Sequence, residues 1–432
     1  MYDDLVEFLQ ESVTPFHAAA TAESWLRAAG FTRLEEADYW NLEPGKGYYT
    51  TRNGSSVVAW RVPDHAIGGW RIVASHSDSP SWKIKADTVE NDGCRRLSVE
   101  GYGGMIMSTW LDRPLTVAGR VMVKTEDGIE SRLVYLDRDL LVIPSLAIHF
   151  QRDINKGHTF NPQVDMQPLW GPAGSRTLTD LVAESLGVEA ADILDSDLQL
   201  VTRQAPTQIG PDGEFFMAPR IDDLECAATT LLGFLDASGE TDSACAPVWA
   251  MFDNEEVGSN TKQGAMSTLL ADTLSRLNAA LGHSCEDLRC AIAKSMLASC
   301  DNAHAVNPNH PERFDEGNRV FLNRGIVVKE AANQKYCTDA FSCAAFCAIC
   351  DNAEIPYQAF ANRSDSPGGS TLGNLSNTQV SMHGVDVGLP QLAMHSSFET
   401  IGVRDVTLAT RALKAFYNAD LRIDGADSIE LG

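Results

Sequence analysis

APVWAMFDNEEVGS, residues 246–259, is the stretch that decides how this chain is read. Its first half, 246–252, is a short unbroken apolar run, the length and composition of a strand covered on both faces. Its second half, Asp253-Asn254-Glu255-Glu256-Val257-Gly258-Ser259, sets two adjacent carboxylates directly after that strand. Carboxylates beside a core are costly unless a cation or a partner meets them. In open α/β sheets, ligand-holding residues collect where strands end. Neighbouring residues on extended chain point to opposite sides, so one of the two glutamates can face a metal while the other faces a substrate as a base.

The same arrangement recurs outward from that stretch. A strand expected over Gly69–Ser75 runs into His76-Ser77-Asp78, and residues two apart share a side, so Asp78 can orient the His76 imidazole through its far nitrogen. A strand expected over 291–300 runs into Asp301, with His304 three residues on, and the apolar stretch ending at Met394 delivers His395. Asp222 and Asp223 open a helix expected over 221–237, where one of them serves as a helix N-terminal carboxylate. Further helices over 338–351 and 403–418 and a strand over 356–361 continue an α/β alternation. Between about 85 and 212 the texture changes to short alternating segments (RLSVEGYGG, RPLTVAGRVMVK, SRLVYLDRDLLVI) broken by Gly, Pro and Asp, the pattern of antiparallel β structure. The expected organisation is therefore a discontinuous α/β domain, 1–85 with 213–432, carrying an inserted β-rich domain at 86–212.

Length and composition bound the rest. The 432 residues suffice for two or three domains, and 44% hydrophobic against 22% charged residues is ordinary globular usage, which excludes disorder. A net charge of −25 disfavours nucleic acid and anionic membrane as partners, because both need a positive face. No run reaches the ~18 apolar residues of a membrane helix, and the start MYDDLVEFLQESVTPF is acidic and amphipathic rather than a signal peptide. Ten cysteines with no CxxC…CxxC pair are not a disulfide scaffold; Cys343, Cys347 and Cys350, at helical spacing in an apolar run, read as small core residues. A cytoplasmic location follows. There is no GxSxG, so a serine hydrolase has no support.

Taken together, two histidines, a lone aspartate, a paired aspartate and a paired glutamate make an oxygen-and-imidazole set for two divalent ions, suited to zinc, cobalt or manganese. Three carboxylates against two such ions leave one positive charge, which a bridging hydroxide neutralises. An ion pair ~3.5–4 Å apart generates a nucleophile at neutral pH and polarises a carbonyl.

These residues resemble the M18 family of metallopeptidases, the aspartyl aminopeptidases, within the di-zinc exopeptidases. The segments that carry the likeness are ASHSDSP (74–80), RIDDL (220–224), FDNEEVGS (252–259), SCDNAHAVNPNH (299–310) and RSDSPGGST (363–371), together with PQLAMHSSFE (390–399) and LAIHFQRDINKG (146–157). The resemblance implies an α/β/α catalytic domain with a mostly-β dimerisation insert, assembled from dimers into a tetrahedral dodecamer. It implies that His76 and Asp301 bind one zinc, Glu256 and His395 the other, that Asp222 bridges them and that Asp78 supports His76. Glu255 would be the base activating a water held by both ions. His149 matches a histidine that reaches a neighbouring subunit's site, and His304, Lys329 and Tyr336 match substrate contacts. Asp223 stands where relatives often carry Asn, which leaves the bridging ligand intact.

The implied activity is removal of N-terminal residues from peptides, with a preference for Asp or Glu; some relatives prefer neutral residues. A chain of net charge −25 repels acidic peptides at range, so an acidic preference requires cations inside the site. Lys329, Lys335 and Arg363 lie near the candidate segments. A di-zinc amidohydrolase or deacylase would share the paired glutamates and His-x-Asp but not NAHAVNPNH or LAIHFQRDIN. A non-catalytic oligomeric scaffold would have no use for so many grouped carboxylates.

Overall fold

The computed structural model describes residues 1–63, 67–237, 245–425 and 428–431. Its centre is a nine-stranded sheet made of β1 (Thr32–Arg33), β2 (Gly47–Arg52), β3 (Ser56–Arg61), β4 (Gly69–His76), β5 (Cys245–Phe252), β6 (Met296–Cys300), β7 (Ile326–Glu330), β8 (Tyr357–Ala361) and β9 (His383–Gly388), in the order β1-β2-β3-β5-β4-β6-β9-β7-β8. Helices α1 (Tyr2–Glu11), α2 (Pro15–Ala28), α3 (Ile221–Asp236), α4 (Leu269–Ala280), α5 (Cys285–Ala293), α6 (Ala340–Asn352) and α7 (Val403–Asn418) cover it. The period-two alternation of the strands assigns the faces. Val73, Trp249, Met251 and Ala298 pack under α1, α2, α3, α6 and α7, whereas Ile72, Ala74, Val248, Ala250 and Leu297 pack under α4 and α5. The result is three layers, α/β/α.

The register sets the site. β4, β5 and β6 are mutually parallel, with Phe252 opposite His76 and Ser299 opposite Ala74, so their carboxyl ends finish together on one edge. That edge is where a parallel sheet holds ligands.

One expectation is corrected here. Residues 291–300 are not one strand: α5 runs through Ala293 and β6 begins at Met296. Ser284 and Asp287 form a reciprocal capping box that starts α5 and carries the apolar residues of its last turn into a helix.

A second sheet of six strands is antiparallel and is built from Ser81–Asn91, Cys94–Tyr102, Leu115–Thr125, Gly128–Tyr135, Leu169–Pro172 and Ile193–Thr202. It has its own core, with Trp82, Leu97, Val117, Val121 and Leu198 under the helix Leu178–Leu186. A third, five-stranded sheet joins Thr207–Ile209 and Phe215–Ala218 to Glu399–Gly402, Pro390–Leu392 and Ala303–His304. It positions His304, and His395 lies on the connection between two of its strands. Cys343, Cys347 and Cys350 lie on α6 and pack against the core. Among the described residues, no helix is long and apolar enough to cross a membrane.

Candidate metal centre

His76 closes β4 and is buried. Its Nδ1 lies 3.1 Å from the backbone carbonyl of Asp78 and 3.3 Å from the Asp78 carboxylate, and its Nε2 lies 3.5 Å from Asp222 Oδ1. Asp222 and Asp223 do not start a regular helix as expected: their φ/ψ values of −79/106 and −119/19 break the α3 geometry. This break separates two acids that adjoin in sequence. Asp222 faces the histidines, and Asp223 turns back to accept the His76 amide at 3.0 Å. His395 Nε2 lies 3.4 Å from Asp222 Oδ2 and 3.4 Å from Glu256 Oε2. One carboxylate therefore offers one oxygen to each imidazole.

The glutamates also reach the site differently from expectation. After β5 the chain takes a left-handed residue at Asn254 (φ 64) and then a short 3-10 turn, Glu255–Val257, rather than extended chain. Asparagine tolerates that conformation better than most residues. Both glutamates line the same cavity. The turn is held by Asp78, which accepts the amides of Glu255 and Glu256 at 3.1 Å each.

Candidate ligand atoms of His76, Asp222, Asp223 and Asp301 lie within 4.8 Å of one another, as do those of Asp222, Glu256 and His395, and those of His76, Glu255 and Glu256. The cluster lines a cavity of about 220 Å³ together with His304, Lys329, Tyr336, Phe360 and Thr371. His149 stands apart, exposed on the chain after Ile143 and outside this cavity.

The donor set fits metal. Tetrahedral zinc with bonds of ~2.0–2.1 Å sets neighbouring ligand atoms about 3.3 Å apart, which the 3.4–3.5 Å separations between imidazole nitrogens and carboxylates reproduce. They are long for hydrogen bonds. Glu256 Oε1 is buried with no partner among the described residues, an atom a cation would satisfy.

Electrostatics agree. Burial, reinforced by Asp301, Asp78 and Asp222 and opposed by His76, lifts Glu255 to about 8. Burial also holds Glu256 and Asp301 above the usual carboxylate range. Burial works against charge on His76 and His395, yet the carboxylates around them hold both up, His395 to about 9. Crowded carboxylates that retain protons are short of positive charge, which divalent cations supply.

Two residues escape a reading by motif. Glu399 accepts the amide of Asp222 at 3.0 Å and that of His395 at 2.7 Å, joining the two ends of the cluster; its sole mark in the sequence is its place four residues after His395. Asp386, buried on β9, takes the Thr371 hydroxyl on one oxygen and the Cys337 amide on the other, at 2.5 Å each, and so ties two segments beside the cavity to the sheet. It follows the apolar pair Val385 and the glycine before it, with no pattern to distinguish it.

Comparison with known proteins gives this geometry its setting. The family described as "Aminopeptidase I zinc metalloprotease (M18)" matches residues 8–417. A protein of Clostridium novyi named "Probable M18 family aminopeptidase 2" is 41% identical over an alignment of 427 positions that covers 96% of this chain and 98% of that one. Among solved structures, a chain in the "Cryo-EM structure of the Ape4 and Nbr1 complex" superposes with a TM-score of 0.93 at 34% identity, covering 96% of this chain and 85% of that one. The Saccharomyces mApe1 dodecamer gives 0.83 at 26% identity over 96% of each chain. The chain belongs to the M18 family of zinc metallo-aminopeptidases.

Proposed function

We propose that this chain removes N-terminal aspartate or glutamate from peptides, using two divalent ions, most simply zinc. His76 and Asp301 would hold one ion, Glu256 and His395 the other, and Asp222 both. The bound ions supply Lewis acidity toward the scissile carbonyl and acidify a water at neutral pH. Glu255 takes the proton of the attacking water and passes it to the leaving amine. Its pKa, about 8 in the ion-free cluster, is drawn down by cations beside it toward the range a general base requires. Asp78 keeps His76 oriented through Nδ1. His304 and Tyr336 line the same cavity as the glutamates, where they can contact the substrate.

The observation that carries the acidic preference is Lys329, a buried ammonium in the cavity wall. A side-chain carboxylate entering there meets a cation in a site of low dielectric, where pairing is stronger than in water. Phe360 in the same wall favours the second reading, a preference for neutral residues.

The same reading extends to assembly. The chain forms a homo-oligomer, a dodecamer built from dimers, with 86–212 as a dimerisation insert in the discontinuous domain 1–85 and 213–432. The dodecameric relative supports this, and exposed His149 suits a contact with a second copy's site. The location is cytoplasmic.

Hydrolysis of aspartyl-, glutamyl-, leucyl- and alanyl-p-nitroanilide, with and without chelator, is the test. Chelator-sensitive cleavage favouring the acidic pair is expected. Cleavage favouring leucine or alanine would retain the aminopeptidase and discard the acidic pocket.

A further inference from the structure

We propose that the turn Tyr102–Ile106, which leaves the six-stranded sheet, is a positioning element of the metal centre. It steadies His76 through Asp78 and seats Glu256 and His395 directly. The inference rests on the reading that these residues hold the ions.

The Tyr102 hydroxyl donates to Asp78 Oδ2 at 2.7 Å and accepts from Asn254 Nδ2 at 2.8 Å. The same Asp78 carboxylate takes the amides of Glu255 and Glu256 and faces His76 Nδ1 at 3.3 Å. A single phenol thus braces the carboxylate on which an imidazole and the glutamate turn depend. Asn254 is fixed from its other end, its Oδ1 accepting from Thr261 and Gln263 at 2.9 and 2.8 Å.

The next residues touch the opposite half of the cluster. Gly103 lies against Glu256: a Cβ there would come 3.0 Å from Glu256 Cβ, and its φ of +71° already favours glycine. The Gly104 carbonyl receives the proton of His395 Nδ1. A carbonyl can only accept, so this bond fixes the tautomer and leaves the Nε2 lone pair facing Asp222 and Glu256. The Ile106 amide donates to the His395 carbonyl at 3.0 Å, and Ser397 binds Thr109 by its amide at 2.9 Å and its hydroxyl at 2.5 Å. Over eight residues, then, the chain leaving the second sheet grips both histidines' surroundings and the glutamate turn.

The consequence is that the six-stranded sheet does more than offer a surface: its docking on the α/β layers sets the second ligand shell from within the same chain. Outer-shell partners of this kind are worth about 10–100-fold in metal affinity.

The test is a chelator-competition titration of metal-free protein with Zn²⁺, alongside melting of the metal-free form. Tyr102→Phe keeps the ring and deletes one hydroxyl. Its zinc affinity is expected to fall about 10-fold, while the metal-free protein still melts in one cooperative transition, lowered only by the loss of two hydrogen bonds. Gly103→Ala, which presses on Glu256, is expected to weaken zinc as well and decides the matter if Tyr102→Phe is unstable. Tyr135→Phe is the control, since that hydroxyl bonds Arg203 at 2.6 Å elsewhere on the same sheet, and it should bind zinc as the parent does. Parent-like affinity in both turn variants, or equal loss in Tyr135→Phe, overturns the proposal. A parent protein that takes up no zinc overturns the metal reading beneath it.

Discussion

Lys329 carries its ammonium into the interior and donates it to the backbone carbonyl of Asp301 at 2.8 Å. The Asn302 carbonyl lies 3.4 Å away and the Tyr336 ring centroid 5.2 Å away. Burial alone would neutralise such a lysine, but Asp301, Tyr336 and Asp386 hold its pKa above the ordinary value, so it stays charged. One side chain therefore both secures a candidate ligand's backbone and presents a cation to the cavity.

Lys329→Met separates these two parts. A charge-assisted hydrogen bond is worth about 1.5–3 kcal/mol, so kcat/KM for aspartyl-p-nitroanilide should fall about 100-fold at the upper end of that range. For alanyl-p-nitroanilide the loss should be about 10-fold or less. Equal losses on both substrates would mean that Lys329 seats Asp301 and selects nothing.

Glu255→Gln keeps the shape of the side chain and removes its ability to take a proton. The expected loss in kcat is about 10²–10⁴-fold, the usual worth of a positioned acid–base group. Metal content by elemental analysis should remain that of the parent, because the proposed ligands His76, Asp222, Glu256, Asp301 and His395 are intact. Near-normal turnover in a metal-loaded Glu255→Gln protein would place the base elsewhere.

Stripping the metal should expose a pH dependence with a definite sign. In the ion-free fold, burial lifts Glu255 and Glu399 to about 8 from an ordinary 4.5, and neighbouring carboxylates lift His395 to about 9 from 6.5. Each binds its proton more tightly folded than unfolded, so its contribution is fully present below the unfolded value and is lost as pH rises through the folded one. Asp222 shifts downward, and its opposite effect is confined to acid below the ordinary aspartate value. The melting temperature of chelator-treated protein should therefore fall progressively from about pH 4.5 to about pH 9, while the metal-loaded protein, whose cluster is compensated, should not follow. A flat profile in the metal-free protein would show that the cluster relaxes once emptied.

What could be read from the sequence, and what could not, has a physical reason. His76, Asp301 and the Glu255-Glu256 pair each follow an apolar run, and strand ends are local features that a pattern reveals. The layered α/β order was legible for the same reason. Conformation inside the turns was not: the break at Asp222 and Asp223 and the 3-10 turn at Glu255 are imposed by partners distant in sequence, namely Glu399 and Asp78. Tyr102 looks like any tyrosine closing a strand, and its partners Asp78 and Asn254 lie on either side of it in sequence, Asn254 152 residues away. The misassigned strand at 291–300 failed because an apolar run carries no period of its own, and the capping box at Ser284 and Asp287 then decided for helix.

Gly388 offers a structural test of how Asp301 is held. It ends β9 beside Asp301, whose amide bonds the Val387 carbonyl at 3.0 Å. A Cβ on Gly388 would lie 1.8 Å from the Asp301 carbonyl oxygen and 2.9 Å from its carbon. Nothing flexible is involved, since the obstructing atoms are backbone and the oxygen is already the acceptor for Lys329. Gly388→Ala must therefore displace the Asp301 peptide or part β6 from β9. Overpacking of a core costs about 1–3 kcal/mol, and the upper end applies where backbone has to move. The variant should melt several degrees below the parent and lose affinity for zinc. Gly369→Ala, in the same cavity wall but with nothing within 4 Å of an added Cβ, should leave melting unchanged. If Gly388→Ala binds zinc as tightly as the parent, Asp301 is not held by this contact, and its place in the cluster depends on Lys329 instead.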